Sequence, residues 1–376
     1  DMDIRLLSGT GDLEIGIEGI EYGREVIVML AAKLNGQIFC ADSIRLFASP
    51  FIALANTDMA TKAYVSNGWQ GSFYDSTTNA LNGVVTVVKY DGDFTQDFAE
   101  IGATRSAPGQ AVRKLCTIVG FKGTRYADQV ASDTGYFHIE AGNPGGNVEA
   151  SPPIQGYPYG RLIVGSSLKP NIRSFLQAQK VQTDNGNMIV LPVDWLRVQH
   201  VDEVMTIIPV GSGYKVLVAD LDLAIYMLRN CPNYKTDGEF MTREQLLASY
   251  DHPLNAERIA EINGNLALIR TTLSKGLGIK VSELIRVPVA FNVDGGGGPR
   301  DTYLPNMINM IVVKNASGIR RLVVPDPFFE PFADQLVAEL ESNGYQTGEA
   351  WFINTSGPHG DGGEAHCASN VRREMP

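Results

Sequence analysis

The chain has 376 residues, of which 44% are hydrophobic and 19% charged, with a net charge of −11. That length suggests one large or two domains, and that apolar content supplies a substantial core and excludes long disorder. The acidic balance argues against a nucleic-acid partner, since phosphate binding needs a basic face, and suits a cationic substrate or divalent cations. Cys40, Cys116, Cys231 and Cys367 form no C-x-x-C pair, so neither a zinc knuckle nor a disulfide framework is indicated. Cys40 and Cys116 lie in apolar runs and read as core thiols. No apolar run reaches transmembrane length, so no membrane partner is expected. The acidic start Asp1-Met2-Asp3 shows no signal peptide, and the expected compartment is the cytoplasm.

In chain order, residues 12–18 alternate apolar and polar with period two, and 25–30 and 43–47 follow as strands. Residues 1–48 therefore read as part of a β-sandwich, too short for the roughly seven strands of a complete one. From residue 49 the texture changes to strand–helix units. Residues 83–90 are a β-branched run that predicts a buried strand. Residues 204–209 and 214–219 flank a Gly-Ser-Gly turn and predict a hairpin. Residues 257–273 predict a helix. So do 330–342, with Phe332, Leu336, Val337 and Leu340 on one face and Gly344 as the stop. Residues 306–313 read as another buried strand. Gly295 to Gly298 form a loop with no Gly-Lys-Ser/Thr after it, which removes a phosphate-binding reading. No sequence repeat is evident.

Four segments carry the reactive residue types. They are 93–102, 145–153, 195–203 and the C-terminal loop holding Cys367, where a Gly-Gly pair and His366 precede a single thiol. A thiolate is a strong nucleophile near neutral pH. Guanidinium is planar and permanently cationic, and two carboxylates hold it through different nitrogens. Expelling ammonia needs a proton donor tuned near neutrality, which is histidine. Cys367, His200, Asp97 and Asp202 supply one of each part. His200 and Asp202 are two apart, so on an extended strand both would face one side.

Together these segments resemble the protein-arginine deiminases. The motifs are Gln-Asp-x-x-Glu-Ile-Gly from Gln96, Gly-Asn-x-Glu-x-Ser-Pro-Pro from Gly146, His-Val-Asp-Glu from His200, and His-Cys-x-x-Asn-Val-Arg-Arg from His366. The resemblance implies an α/β fold: a five-bladed α/β propeller, the pentein fold, over residues 49–376. Residues 1–48 resemble the end of an immunoglobulin-like domain. It implies hydrolysis of peptidyl-arginine to peptidyl-citrulline and ammonia, so arginine-containing peptides or proteins are the expected partners. Cys367 then resembles the nucleophile and His200 the general acid and later base. Asp97 and Asp202 resemble the pair gripping the guanidinium. Phe94 stands where the family has a tryptophan against the substrate stem, and Lys122 or Arg125 lies near the family's backbone-anchoring arginine.

The resemblance also implies calcium. Gln96, Glu100 and Glu149 resemble its side-chain ligands, with the carbonyls of Gly145 and Val148, a hard oxygen set that suits Ca²⁺. A neighbouring calcium of the family is not expected, because Phe98 and Thr117-Ile118 stand where its ligands would be. Asp361-Gly362 replaces a basic pair of the family ahead of the nucleophile. Two other readings stay open: a pentein acting on a small free guanidine such as arginine or agmatine, and a catalytically silent calcium-binding relative. A zinc site from His359, His366 and Cys367 is possible by residue type, without a standard spacing.

Overall fold

The computed structural model describes residues 25–47, 50–69, 72–105, 113–119, 137–140, 145–231, 240–294 and 301–374. In it the β-branched runs pair into small sheets that reuse one plan, in which a central strand takes one antiparallel and one parallel neighbour. Gly213–Asp220 runs antiparallel to Met205–Val210 and parallel to Ile285–Pro288. Leu162–Gly165 stands likewise between Val148–Ala150 and Ile189–Leu191. Arg320–Pro325 stands between Ile311–Lys314 and Ala350–Ile353. Arg113–Val119 stands between Ala99–Arg105 and Phe137–Glu140, and Phe51–Ala53 extends that sheet beyond Ala99–Arg105. In the remaining unit Met59–Ser66 pairs parallel to Thr86–Tyr90 and antiparallel to Ser369–Glu374, from the far end of the chain.

Parallel neighbours cannot be joined by a tight turn, and in four of the units helices fill the crossover. Phe73–Leu81, Pro170–Gln179 and Glu330–Ser342 each do this singly. The largest unit uses Leu221–Asn230, Arg243–Tyr250 and Ala256–Leu277. Asp220 starts the first of these by accepting the Leu223 N–H, and Thr242 with Gln245 forms a capping box for the second. Ile262, Leu266, Ile269, Leu273 and Leu277 make one buried stripe along Ala256–Leu277. That stripe joins the main core around the 205–220 hairpin, and it follows the 3.6-residue period of an amphipathic helix.

The hairpin at Gly211-Ser212 and the two later helices match their sequence expectations. Three expectations change. Thr86–Tyr90 is an edge strand, paired on one side only and partly exposed, rather than a buried one. In 306–313 only Ile311 onward is strand, and Asn306 to Met310 form a buried turn. Cys40 is exposed on the two-stranded hairpin of Glu25–Leu34 and Gln37–Phe47, which turns through Asn35 and Gly36, both at positive φ. Its apolar neighbours in sequence misled because this hairpin also exposes Met29 and Phe39. Residues 12–18, the Gly295–Gly298 loop, the Cys116 side chain and both Lys122 and Arg125 lie outside the described residues and side chains. Among the described residues no helix is long and apolar enough to cross a membrane.

One consequence of the topology sets up the site. Pairing Ser369–Glu374 against Met59–Ser66 draws the loop before Ser369 onto the turn Thr95–Phe98. The Gln96 N–H then donates to the Cys367 carbonyl at 3.1 Å.

Candidate active site

Cys367 sits at the end of a turn that runs straight into the strand Ser369–Glu374. It is 4% exposed, not the open thiol that its glycines suggest. Asn309 holds it at both ends of one amide. The Cys367 N–H donates to Asn309 Oδ1 at 3.1 Å, and Asn309 Nδ2 lies 3.1 Å from Sγ. The same Nδ2 also reaches the Asp202 carbonyl at 3.3 Å, and the Asn309 carbonyl accepts the His366 N–H at 3.0 Å. Asn309 therefore ties the sulfur to the segment that carries Asp202. In the sequence Asn309 reads as part of a buried strand. The available signal was two amides, Asn306 and Asn309, inside an otherwise apolar run, since buried polar groups need partners.

His200 and Asp202 do not lie on a strand. His200 is extended and precedes a 3-10 turn, Val201–Glu203, whose Glu203 accepts the His200 N–H at 2.9 Å. Gln199 enters this turn at φ 65, a left-handed value unusual for a non-glycine residue. Its carbonyl is pinned by Ser167 Oγ at 2.8 Å, and Asn147 Nδ2 donates to that hydroxyl at 2.9 Å. The turn nevertheless aims both side chains at one place. A Cβ on Gly146 would lie 2.8 Å from both His200 Nδ1 and Asp202 Oδ2, so only glycine lets the 145–149 segment approach them.

The carboxylates crowd the sulfur. Asp202 Oδ2 is 3.4 Å from Cys367 Sγ and 2.8 Å from His366 Nδ1, while its Oδ1 is buried without a partner. Asp97 Oδ1 lies 3.8 Å from His200 Nδ1, and neither atom has a hydrogen-bond partner. Burial and the neighbouring Asp202 push the Asp97 carboxyl up to about 7. Burial, then Asp202 and Asp97, push the Cys367 thiol well up. Burial lowers His200, more than Asp202 raises it, so its neutral form is favoured. Burial also works against charge on His366, but the Asp202 hydrogen bond and the Glu149 charge outweigh it and hold that imidazole above its usual range. A buried, electron-rich site with two orphaned carboxylate oxygens is built to receive a cation.

Of the other expected residues, Phe94 forms an aromatic wall with Trp69 (ring centroids 4.9 Å apart), and Gly363 approaches its ring closely. Trp69 Nε1 in turn donates to Asp361 Oδ2 at 2.7 Å. Gln96, Glu100, Gly145, Val148 and Glu149 are all buried and near one another. Burial and Glu149 raise Glu100 strongly, and burial raises Glu149. Gln96 Nε2 donates to Glu100 Oε2 at 2.8 Å, leaving the amide oxygen of Gln96 for another partner. Two buried carboxylates with an amide and carbonyl oxygens fit a hard divalent cation chemically. Among the described residues no group of three or more His, Cys, Asp or Glu side chains is placed to hold a metal, and this set contains only two carboxylates. His359, His366 and Cys367 do not form a zinc set, since no such group of three is placed to hold a metal among the described residues.

A family model described as protein-arginine deiminase (PAD) matches residues 38–376. The type-3 protein-arginine deiminase of Mus musculus is 29% identical over 263 residues, covering 61% of this chain and 37% of that protein. The type-4 enzyme of Homo sapiens is 26% identical over 394 residues, covering 91% of this chain and 57% of the relative. The chain thus spans between about a third and three-fifths of the length of these relatives. Among solved structures, a C. jejuni agmatine deiminase superposes with a TM-score of 0.53 at 12% identity, covering 87% of this chain and 98% of that one. At that identity the likeness shows the mixed α/β deiminase fold alone.

Proposed function

We propose, since the chain belongs to the protein-arginine deiminase family, that it hydrolyses peptidyl-arginine to peptidyl-citrulline and ammonia through a covalent adduct on Cys367. The observation that carries this reading is a sulfur 3.4 Å from a carboxylate whose other oxygen is buried and unpaired. In this reading the guanidinium takes up the free oxygens of Asp202 and Asp97 through its N–H groups. Its positive charge opposes the anionic field that holds the thiol protonated, so substrate binding favours the thiolate. The thiol proton passes to neutral His200, and the sulfur bonds to the guanidinium carbon. His200 returns that proton to the departing nitrogen, and ammonia leaves. Water then adds to the thiouronium carbon, giving its proton to His200. The C–S bond breaks, and citrulline and the thiolate are released.

Glu100, Glu149, Gln96 and the carbonyls of Gly145 and Val148 are the residues that would hold calcium. A bound cation would supply positive charge against two buried carboxylates beside the site. The wiring supports a link between that set and the reaction: His366 Nε2 is 3.5 Å from Glu149 Oε1 while its Nδ1 engages Asp202. The recurring sheet plan supports a pentein propeller of five units over residues 49–376. Residues 1–48 are read as the end of a preceding immunoglobulin-like domain, which the 25–47 hairpin suits.

The test is citrulline release from an N-acyl-arginine amide, with calcium and with chelator, beside free arginine and agmatine. Turnover of the blocked substrate that the chelator abolishes and calcium restores is expected. Turnover only of free arginine or agmatine would overturn the peptidyl reading, and chelator-insensitive turnover would overturn the calcium site.

A further inference from the structure

Beside Cys367 opens a cleft whose wall holds an acid–base pair that the hydrolysis does not use. His359 lies on the short helix Ser356–Gly360, and its Nδ1 is 2.6 Å from Glu364 Oε1. The Asn306 N–H and Thr355 Oγ1 also donate to Glu364, at 3.1 and 2.5 Å, so both carboxylate oxygens are satisfied within the protein. Phe240 braces the imidazole edge-on at 5.5 Å. Among the described residues that line the cleft with Cys367, including Glu203, Asp301, Asn306 and Asn309, His359 is the single basic side chain. Burial opposes its charged form, but Glu364, with help from Asp301, holds the imidazole above its usual range. Its side chain keeps 14% exposure against 6% for Glu364. With Nδ1 committed, Nε2 is the nitrogen left to meet a ligand.

We propose that His359 recognises the main chain of the substrate, donating Nε2–H to a peptide carbonyl flanking the target arginine. This deepens the peptidyl-arginine reading and rests on it. The guanidinium end of the substrate matches the anionic pair Asp97 and Asp202. The other end of a peptidyl-arginine is neutral and offers carbonyl acceptors, for which a charged imidazole is a strong donor. Agmatine instead brings an ammonium to that end, which an imidazolium repels. One side chain thereby favours the peptide and disfavours agmatine.

The test compares wild type with His359→Leu and His359→Gln on an N-acyl-arginine amide and on agmatine, with ethylguanidine as a competitive inhibitor that lacks a backbone. For His359→Leu, kcat/KM on the amide should fall about tenfold or more, the worth of a hydrogen bond to a charged group. The fall should lie in KM, while the Ki of ethylguanidine stays within about twofold and discrimination against agmatine relaxes. His359→Gln, which keeps an N–H donor, should recover part of the loss, and covers the case in which the leucine variant does not fold. Equal losses for the amide and ethylguanidine would mark His359 as purely structural and overturn the proposal, as would an unchanged KM on the amide. A wild type that does not turn over the amide would instead fail the parent reading.

Discussion

Replacing Cys367 with serine is expected to lower kcat/KM on an N-acyl-arginine amide by roughly ten-thousand-fold or more, the scale on which nucleophile removal acts in covalent hydrolases. The hydroxyl cannot replace the thiolate, because its proton is far harder to remove in a site already crowded with carboxylates. The fold should survive. Serine is close in shape to cysteine, and the Asn309 amide that now faces Sγ at 3.1 Å can donate to an oxygen instead. A thermal midpoint within a few degrees of wild type, together with lost turnover, is the expected pair of results. Residual activity within tenfold of wild type would remove Cys367 from the chemistry.

Asp202→Asn should be the next most damaging change. It takes away a charge whose free oxygen is buried without a partner and whose other oxygen holds His366 at 2.8 Å. Leaving a buried cation without its partner costs about 3–5 kcal/mol, or roughly a hundred- to several-thousand-fold in kcat/KM. Two electrophiles give this prediction a direction that a general disruption would not. Among the anions that raise the Cys367 thiol, Asp202 acts most strongly, with its Oδ2 3.4 Å from Sγ. Alkylation by neutral iodoacetamide should therefore quicken in the variant, while alkylation by cationic 2-chloroacetamidine should slow. If both rates fall together, Asp202 acts through structure and not through its charge.

The parts of this fold that the sequence announces are those made by neighbours in the chain. The β-branched runs around Gly211-Ser212 pair directly across their turn, and the stripe Ile262, Leu266, Ile269, Leu273 and Leu277 is a local period. The repeated sheet plan is not legible in that way, because different residues build each copy and the plan resides in backbone pairing. The motifs point to Cys367, His200, Asp97 and Asp202, yet not to how they are held. His200 and Asp202 meet through a 3-10 turn entered by a left-handed Gln199, where their spacing suggests a strand. Asn309 clamps a sulfur 58 positions away, and His366 joins Asp202 across 164. Such contacts depend on Ser369–Glu374 finding Met59–Ser66, a pairing between segments far apart in the sequence that no local pattern encodes. Cys40 shows the converse error, since an apolar stretch implies burial only where something covers it.

Peptide mapping after treatment with 2-chloroacetamidine, in calcium and with or without excess N-acyl-arginine amide, puts the whole arrangement to one trial. Cys40 serves as the internal control, being an exposed thiol outside the site. The expected map shows Cys367 modified stoichiometrically and protected by substrate, with Cys40 modified slowly and equally in both arms. A map in which Cys40 reacts while Cys367 stays unmodified would contradict a nucleophilic sulfur facing a guanidinium site.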